Sequence, residues 1–292
     1  MKCNLIYFGS PDFSAQILES ILKNDSVNVV GVVSTPDKPT GRKLVLTPSP
    51  VSLLASSYDL PVYKPIKLDE ANLAHLKLLK PDILLIASYG KIIPQSYLDL
   101  PKLGTYNIHF SLLPKYRGAL CISEAIKNRD KVTGVTLMEM DDKLDHGSLI
   151  SQTTLPIDTT DNTSTLTTKL TRSAIALLAN KLPEICAHKY TKVPQDESQA
   201  TFTPSFKTHN HQTAYIPFEK IALAQDGVDS DNVCALINSL NTSPGAWTMI
   251  NSLDVKIISV FITDNKLVIN TVQLAGKSPV TWKQFISGHK IS

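Results

Sequence analysis

The segment "YNIHFSLLPKYRG", residues 106–118, sets an amide and an imidazole, Asn107 and His109, at alternate positions ahead of an apolar turn, a proline and two cations. Alternate side chains of an extended strand share a face. An amide donor and a ring that takes up a proton near neutral pH can therefore converge on one reacting atom. Farther along, Asp145 sits in the polar turn "DDKLDHG", residues 141–147. Acyl-type transfer to an amine needs a base for the ammonium proton, a donor for the tetrahedral oxyanion and a group that holds the base. His109, Asn107 and Asp145 supply those three chemistries. Residue types alone also fit a polar strand end with satisfied side chains, and an aspartate ahead of Gly147 is ordinary turn chemistry.

A second feature is the loop "TPDKPTGRKLVLTPSPV", residues 35–51, with four prolines, the cations Lys38, Arg42 and Lys43, and the apolar triplet Leu44-Val45-Leu46. Prolines stiffen a loop, and cations beside apolar contacts suit an RNA end better than a small anion. The bland alternative is a solvated surface loop.

The elements that must position these residues follow from periodicity. "CNLIYFG" reads as a strand, and "SPDFSAQILESILKN" as a helix with Phe13, Ile17, Ile21 and Leu22 at helical spacing. "VNVVGVVST", "PVYKP", "PDILLIASYG" and "GTYNIHF" read as further strands, with helical segments near 50–57 and 69–79. Apolar strands alternating with amphipathic helices predict an α/β fold with a mostly parallel sheet covered on both faces. Ligands in such sheets bind beyond the strand ends, here Gly9-Ser10, Ser34-Thr35, Ser88-Tyr89-Gly90 and Asn107 to His109. "GVTLMEM" and "SLISQTTLPI" continue as strands, and 162–187 as a long helix. Over 188–208, Pro, Ser, Thr and Gln replace apolar periodicity, as in a linker. Beyond it a helix, "SDNVCALINSL", and the runs "GAWTMI", "VKIISVFIT" and "LVINTVQLAG" predict a small β-barrel. The expected organisation is a catalytic domain over 1–188, a linker over 189–208 and a barrel over 209–292.

Composition narrows the function classes. With 42% hydrophobic and 19% charged residues over 292 positions the chain is globular, which excludes disordered and fibrous classes. No run approaches the roughly 20 apolar residues that span a bilayer, and the start carries no leader pattern, so the chain reads as cytoplasmic with no membrane partner. The four cysteines are dispersed, and His209-x-His211 has no accompanying ligand cluster, so no metal is expected. A net charge of +3 permits a basic patch without demanding one. Residues 209–292 hold six lysines, no arginine and six acids, a formally neutral set that does not support strong phosphate binding, so the 35–51 loop is expected to carry more of any such recognition.

"NIHFSLLPKYRG" together with "GVTLMEMDDKLDHG" resembles the paired signature of the formyltransferases that use 10-formyltetrahydrofolate, Asn-x-His-x-Ser-Leu-Leu-Pro with a downstream Leu-Asp-x-Gly. "FGSPDF", the 35–51 loop, "PGAWT" at 244–248 and "QLAGKSPVTWKQFISGH" at 273–289 are similar, in the same order, to the members that formylate the α-amine of methionine on charged initiator tRNA. The resemblance implies a Rossmann-like formyltransferase domain followed by an open, OB-like β-barrel that contacts tRNA. It implies Asn107, His109 and Asp145 as the catalytic set, with Ser111, Leu112, Leu113, Pro114, Tyr89 and Gly90 at the folate. It also implies Phe13 near the methionine side chain, and Arg42 and Lys43 in the element that meets the tRNA acceptor stem. The cosubstrate is then 10-formyltetrahydrofolate, without a metal, and the protein a monomer. The turn departs from the family in carrying His146 after the aspartate. Rival readings are an N-formyltransferase of amino sugar nucleotides, a 10-formyltetrahydrofolate hydrolase and a non-catalytic RNA-binding protein.

Overall fold

A computed structural model describes residues 2–41, 43–241 and 243–289. The chain opens with β1 (Cys3–Gly9), α1 (Asp12–Leu22) and β2 (Val27–Val33), then a hairpin of β3 (Lys38–Thr40) and β4 (Val45–Thr47). It continues through α2 (Pro50–Ser57), β5 (Val62–Tyr63), α3 (Glu70–Leu78), β6 (Ile83–Ala87), α4 (Gln95–Leu98) and β7 (Gly104–His109). Next come α5 (Cys121–Lys127), β8 (Val132–Glu139), β9 (Leu149–Pro156) and the long α6 (Thr163–Cys186). One seven-stranded sheet has the order β5-β2-β1-β6-β7-β8-β9. Pairing is parallel from β5 through β7 and turns antiparallel at β7/β8, so the sheet is mostly parallel, as the apolar strands predict.

Local chemistry explains the elements. Leu5, Ile6, Tyr7 and Phe8 of β1 and Ile83, Leu84 and Leu85 of β6 are wholly buried, because helices cover both faces of these central strands. Each such aliphatic side chain contributes about 1.5–3 kcal/mol relative to exposure. Helix α2 starts where Ser49 accepts a hydrogen bond from the Ser52 N–H and Pro50 fills the first turn, whose N–H has no helical partner anyway. Asp69 caps α3 in the same way through the Asn72 N–H.

The chain divides into two compact units. One comprises Met1–Arg117, Gly134–Thr154 and Thr168–Thr201, and the other Gly118–Thr133, Leu155–Thr167 and Phe202–Ser292. In the second unit α7 (Phe218–Gln225) and α8 (Ser230–Leu240) precede β10 (Trp247–Ile250), β11 (Leu253–Thr263), β12 (Lys266–Leu274), β13 (Val280–Thr281) and α9 (Trp282–Gly288). These strands form an open antiparallel sheet in sequence order, and Val233, Ile237, Val255, Ile257, Val272 and Phe285 fill its core. Helix α8 buries Val233, Cys234, Ile237 and Leu240, a helical stripe. Among the described residues no helix is long and apolar enough to cross a membrane.

The 35–51 loop is more regular than its proline content predicts. Lys38, Pro39 and Thr40 pair with Thr47, Leu46 and Val45, and Gly41 and Leu44 turn the chain with positive φ of 67° and 48°. Pro39 is tolerated within β3 because both strands are edges. Arg42 lies outside the described residues; Lys43 is exposed in the turn.

Candidate active site

Asn107 and His109 leave one face of β7 and are both buried. Asp145 reaches them by an unexpected route. Because β8 is antiparallel to β7, its last residue, Glu139, lies opposite Tyr106, and the Met140 N–H donates to the Thr105 carbonyl. The turn that follows therefore leaves beside the start of β7 and folds back along its face. There the Asn107 Nδ2 donates to Asp145 Oδ1 at 3.3 Å, and Asp145 Oδ2 lies 3.6 Å from His109 Nδ1.

The tautomer of His109 follows from its other nitrogen. Nε2 is 2.9 Å from the Tyr116 carbonyl oxygen, which only accepts, so Nε2 carries the hydrogen. In the neutral ring Nδ1 is then the proton acceptor, and it faces a carboxylate that stabilises the ring once it is charged. At 3.6 Å the pair is too long for a direct hydrogen bond, so a donor arriving between them can be shared by both. The Asn107 amide has a second N–H besides the one given to Asp145, suited to a developing oxyanion.

The turn that carries Asp145 is tightly built. Asp145 has a φ of +46°, uncommon without glycine. Gly147 sits where a Cβ would come within 1.8 Å of the Glu139 carbonyl oxygen. Backbone cannot give way cheaply, so Gly147→Ala is expected to cost about 1–3 kcal/mol and to displace Asp145. A fall in thermal midpoint together with a drop in turnover would show this; wild-type values of both would refute it.

Other residues expected at the site are placed as follows. Phe13 is half-buried with its ring centroid 5.3 Å from that of Phe110, the neighbour of His109. Ser111 Oγ donates to the Lys115 carbonyl at 2.6 Å, so its hydroxyl closes the turn. The Leu113 N–H donates to Thr136 Oγ1 at 3.2 Å, and the Leu113 carbonyl accepts from Gln152 Nε2 at 2.9 Å. Leu112 and Pro114 are half-buried. Tyr89 packs edge-on against Phe8, and burial pushes its phenol up to about 12. Among the described residues its hydroxyl is buried without a hydrogen-bond partner, and exposed Gly90 follows with a φ of +80°.

Of the two cations in the opening segment, Lys115 is exposed, its ammonium 4.7 Å from the Tyr116 ring centroid. Arg117 is only 2% exposed and forks to Glu197, with Gln195 Oε1 on its Nε and Nη2. Arg117 is thereby committed to the protein rather than to an anion. Gln195 and Glu197 were not among the expected site residues. The one sequence signal for them is their alternate spacing after Pro194, which puts both on one side of an extended chain. His146, the departure from the family turn, pairs through Nδ1 with Asp141 at 2.5 Å and lies 3.5 Å through Nε2 from Glu197. His209 hydrogen-bonds the Ser243 carbonyl, and His211 stacks on Trp247. Among the described residues no group of three His, Cys, Asp or Glu is arranged to hold a metal ion.

An amide, an imidazole and a carboxylate converge at one strand of a mostly parallel sheet, an arrangement suited to group transfer in an α/β enzyme. Residues 1–182 match the family model described as formyl transferase. A methionyl-tRNA formyltransferase of Staphylococcus aureus (strain JH1) is 37% identical, over 97% of this chain and 96% of that protein. One from Kosmotoga olearia is 38% identical, over 89% of this chain and 80% of its own length. Among solved structures, an N-formyltransferase from Helicobacter canadensis, in complex with folinic acid and dTDP-3-aminofucose, superposes with a TM-score of 0.65 at 24% identity, covering 90% of this chain and 89% of that one. A methionyl-tRNA formyltransferase from Clostridium thermocellum gives 0.61 at 15% identity, covering 93% and 98%. The chain belongs to the formyl transferase family.

Proposed function

We propose that the protein transfers the formyl group of 10-formyltetrahydrofolate to the α-amine of methionine carried by initiator tRNA, as a monomer in the cytoplasm. In this reading Nδ1 of His109 takes the proton from the attacking amine, directly or through water. Asp145 holds the resulting imidazolium, which returns the proton to the folate N10 as the bond from N10 to the formyl carbon breaks and tetrahydrofolate leaves, and the Tyr116 carbonyl keeps Nε2–H fixed throughout. Asn107 donates to the oxygen that gains charge at the formyl carbon. Ser111 to Pro114, Tyr89 and Gly90 form the folate side, and Phe13 the methionine side. Residues 1–188 carry the chemistry, and 209–292 contact the tRNA.

The catalytic set serves any amine acceptor, so the observation that carries the acceptor is the β3/β4 hairpin. Leu44, Val45 and Leu46 are 71%, 61% and 66% exposed in succession, beside the exposed cation Lys43. An apolar run left in water on a stiff basic hairpin suits insertion against stacked bases and phosphates, and an amino sugar nucleotide has no evident use for it. Identities of 37% and 38% to the two methionyl-tRNA formyltransferases named above, over 97% and 89% of this chain, support the same acceptor.

The test is to supply 10-formyltetrahydrofolate with charged initiator tRNA, with a 4-amino sugar nucleotide or with buffer, and to follow which acceptor gains the formyl group. Formylation of the sugar, or formate release without an acceptor, would replace this reading. A second expectation concerns Arg42. Its guanidinium can fork onto a phosphate or base edge, which lysine cannot reproduce. Arg42→Lys and Arg42→Ala should both weaken tRNA use while folate binding is unchanged. For every phosphate that the variant no longer neutralises, the salt slope of tRNA affinity should fall by about 0.7–0.9. Wild-type formylation by Arg42→Ala across a salt series would remove the hairpin from acceptor recognition.

A further inference from the structure

The stretch from Val193 to Thr201 has the composition of a connector, yet it hydrogen-bonds both turns that face the His109 imidazole. Val193 exchanges backbone hydrogen bonds of 2.8 and 2.9 Å with Leu149, just past the Asp145 turn. Gln195 Nε2 donates to the carbonyls of Asp145 and Gly147 at 2.9 and 2.8 Å. Its Oε1 accepts from Arg117 Nε and Nη2 at 3.1 and 2.8 Å. Glu197 accepts from Nη1 and Nη2 of the same guanidinium, at 3.0 and 2.5 Å, and Arg117 in turn keeps its carboxyl below the usual carboxylate range. At the far end Thr201 Oγ1 accepts from the Tyr116 N–H at 2.9 Å. The Thr201 carbonyl accepts from the Arg117 N–H at 2.8 Å, and its N–H donates to the Pro114 carbonyl at 3.2 Å.

We propose that residues 193–201 form a strap that sets the catalytic geometry, with Gln195 the positioning residue for Asp145 and Thr201 the positioning residue for the Tyr116 carbonyl. The two groups that flank His109 come from turns that the strap ties to one buried guanidinium. Asp145 holds a positive φ, and one side-chain amide spanning the carbonyls of Asp145 and Gly147 ties the backbone on both sides of His146 to a single point. A connector with no such role has no reason to place donor and acceptor atoms of one glutamine on two different turns.

The inference rests on the formyl-transfer reading of the site, and Gln195→Glu is the informative variant. It keeps the size and the acceptor facing Arg117 but has no N–H for the two carbonyls, so the fold is retained while the brace is lost. Displacement of a reacting group by about 1 Å costs about 100-fold in rate. Gln195→Glu and Gln195→Ala should therefore lower the single-turnover rate by up to about 100-fold, with KM for 10-formyltetrahydrofolate unchanged. Amide hydrogen exchange over 141–147 should quicken while β1 and β6 stay protected. Because Gln195 acts through Asp145, adding Gln195→Ala to Asp145→Asn should produce almost no further loss. Thr201→Val, which removes the acceptor for the Tyr116 N–H, should reduce the rate with KM unchanged.

Wild-type rates in Gln195→Glu, unchanged exchange over 141–147, or multiplying losses in the double variant would each overturn the strap. If wild type fails on charged tRNA but formylates another acceptor, the acceptor reading alone fails, and the same comparison is made on that acceptor. The exchange measurement decides the brace in either case.

Discussion

Asp145→Asn is expected to fold as the wild type does and to lose most of its turnover, by about 10²–10⁴-fold. The carboxylate faces Nδ1 of a ring whose Nε2 is already committed to the Tyr116 carbonyl. A proton taken from the amine therefore lands beside Asp145, and the neutral amide of asparagine cannot balance the charge. The Asp145 carbonyl, which Gln195 holds, is untouched by the substitution, so the turn should persist. Thermal unfolding and folate binding should thus match wild type while the single-turnover rate collapses. A rate within about threefold of wild type, far short of the loss of a proton-transfer partner, would take Asp145 out of the proton path. The pH profile adds a check on the base itself. If the acidic limb of the wild-type rate survives unchanged in His109→Ala, that limb belongs to the amine substrate.

Asn107→Ala should cost about 2.7–4 kcal/mol of transition-state stabilisation, about a hundred- to a thousandfold in rate. The amide makes one hydrogen bond to Asp145 and has a second N–H for the reacting oxygen. If the second interaction strengthens only as charge develops, kcat and kcat/KM should fall together with KM unchanged. A rise in KM with kcat intact would mean that Asn107 binds substrate and transition state equally. Loss of the hydrogen bond to Asp145 contributes to the effect, and Asn107→Ser, which retains a short donor, should recover part of it.

Much of this was legible in the residues. The apolar strands of the central sheet, the alternate placing of Asn107 and His109, and the α8 stripe follow from periods of 2 and 3.6, which are properties of neighbouring residues. The hairpin within the 35–51 loop was not, because its proline content masks a three-pair ladder that needs no interior hydrogen bonds.

By itself the sequence determined which side chains can do chemistry and that two of them share a strand face. Only the tertiary structure decided how the third arrives. Asp145 reaches His109 because β8 runs antiparallel and its turn doubles back, and no local pattern encodes strand direction. The same holds for the strap. Arg117 looks in sequence like a free cation beside a catalytic motif, and Gln195 like one polar residue among many. Their hydrogen bonds join positions 78 apart in the chain. Pairing at that separation is set by packing, which buries the guanidinium and obliges its N–H groups to find acceptors within the protein.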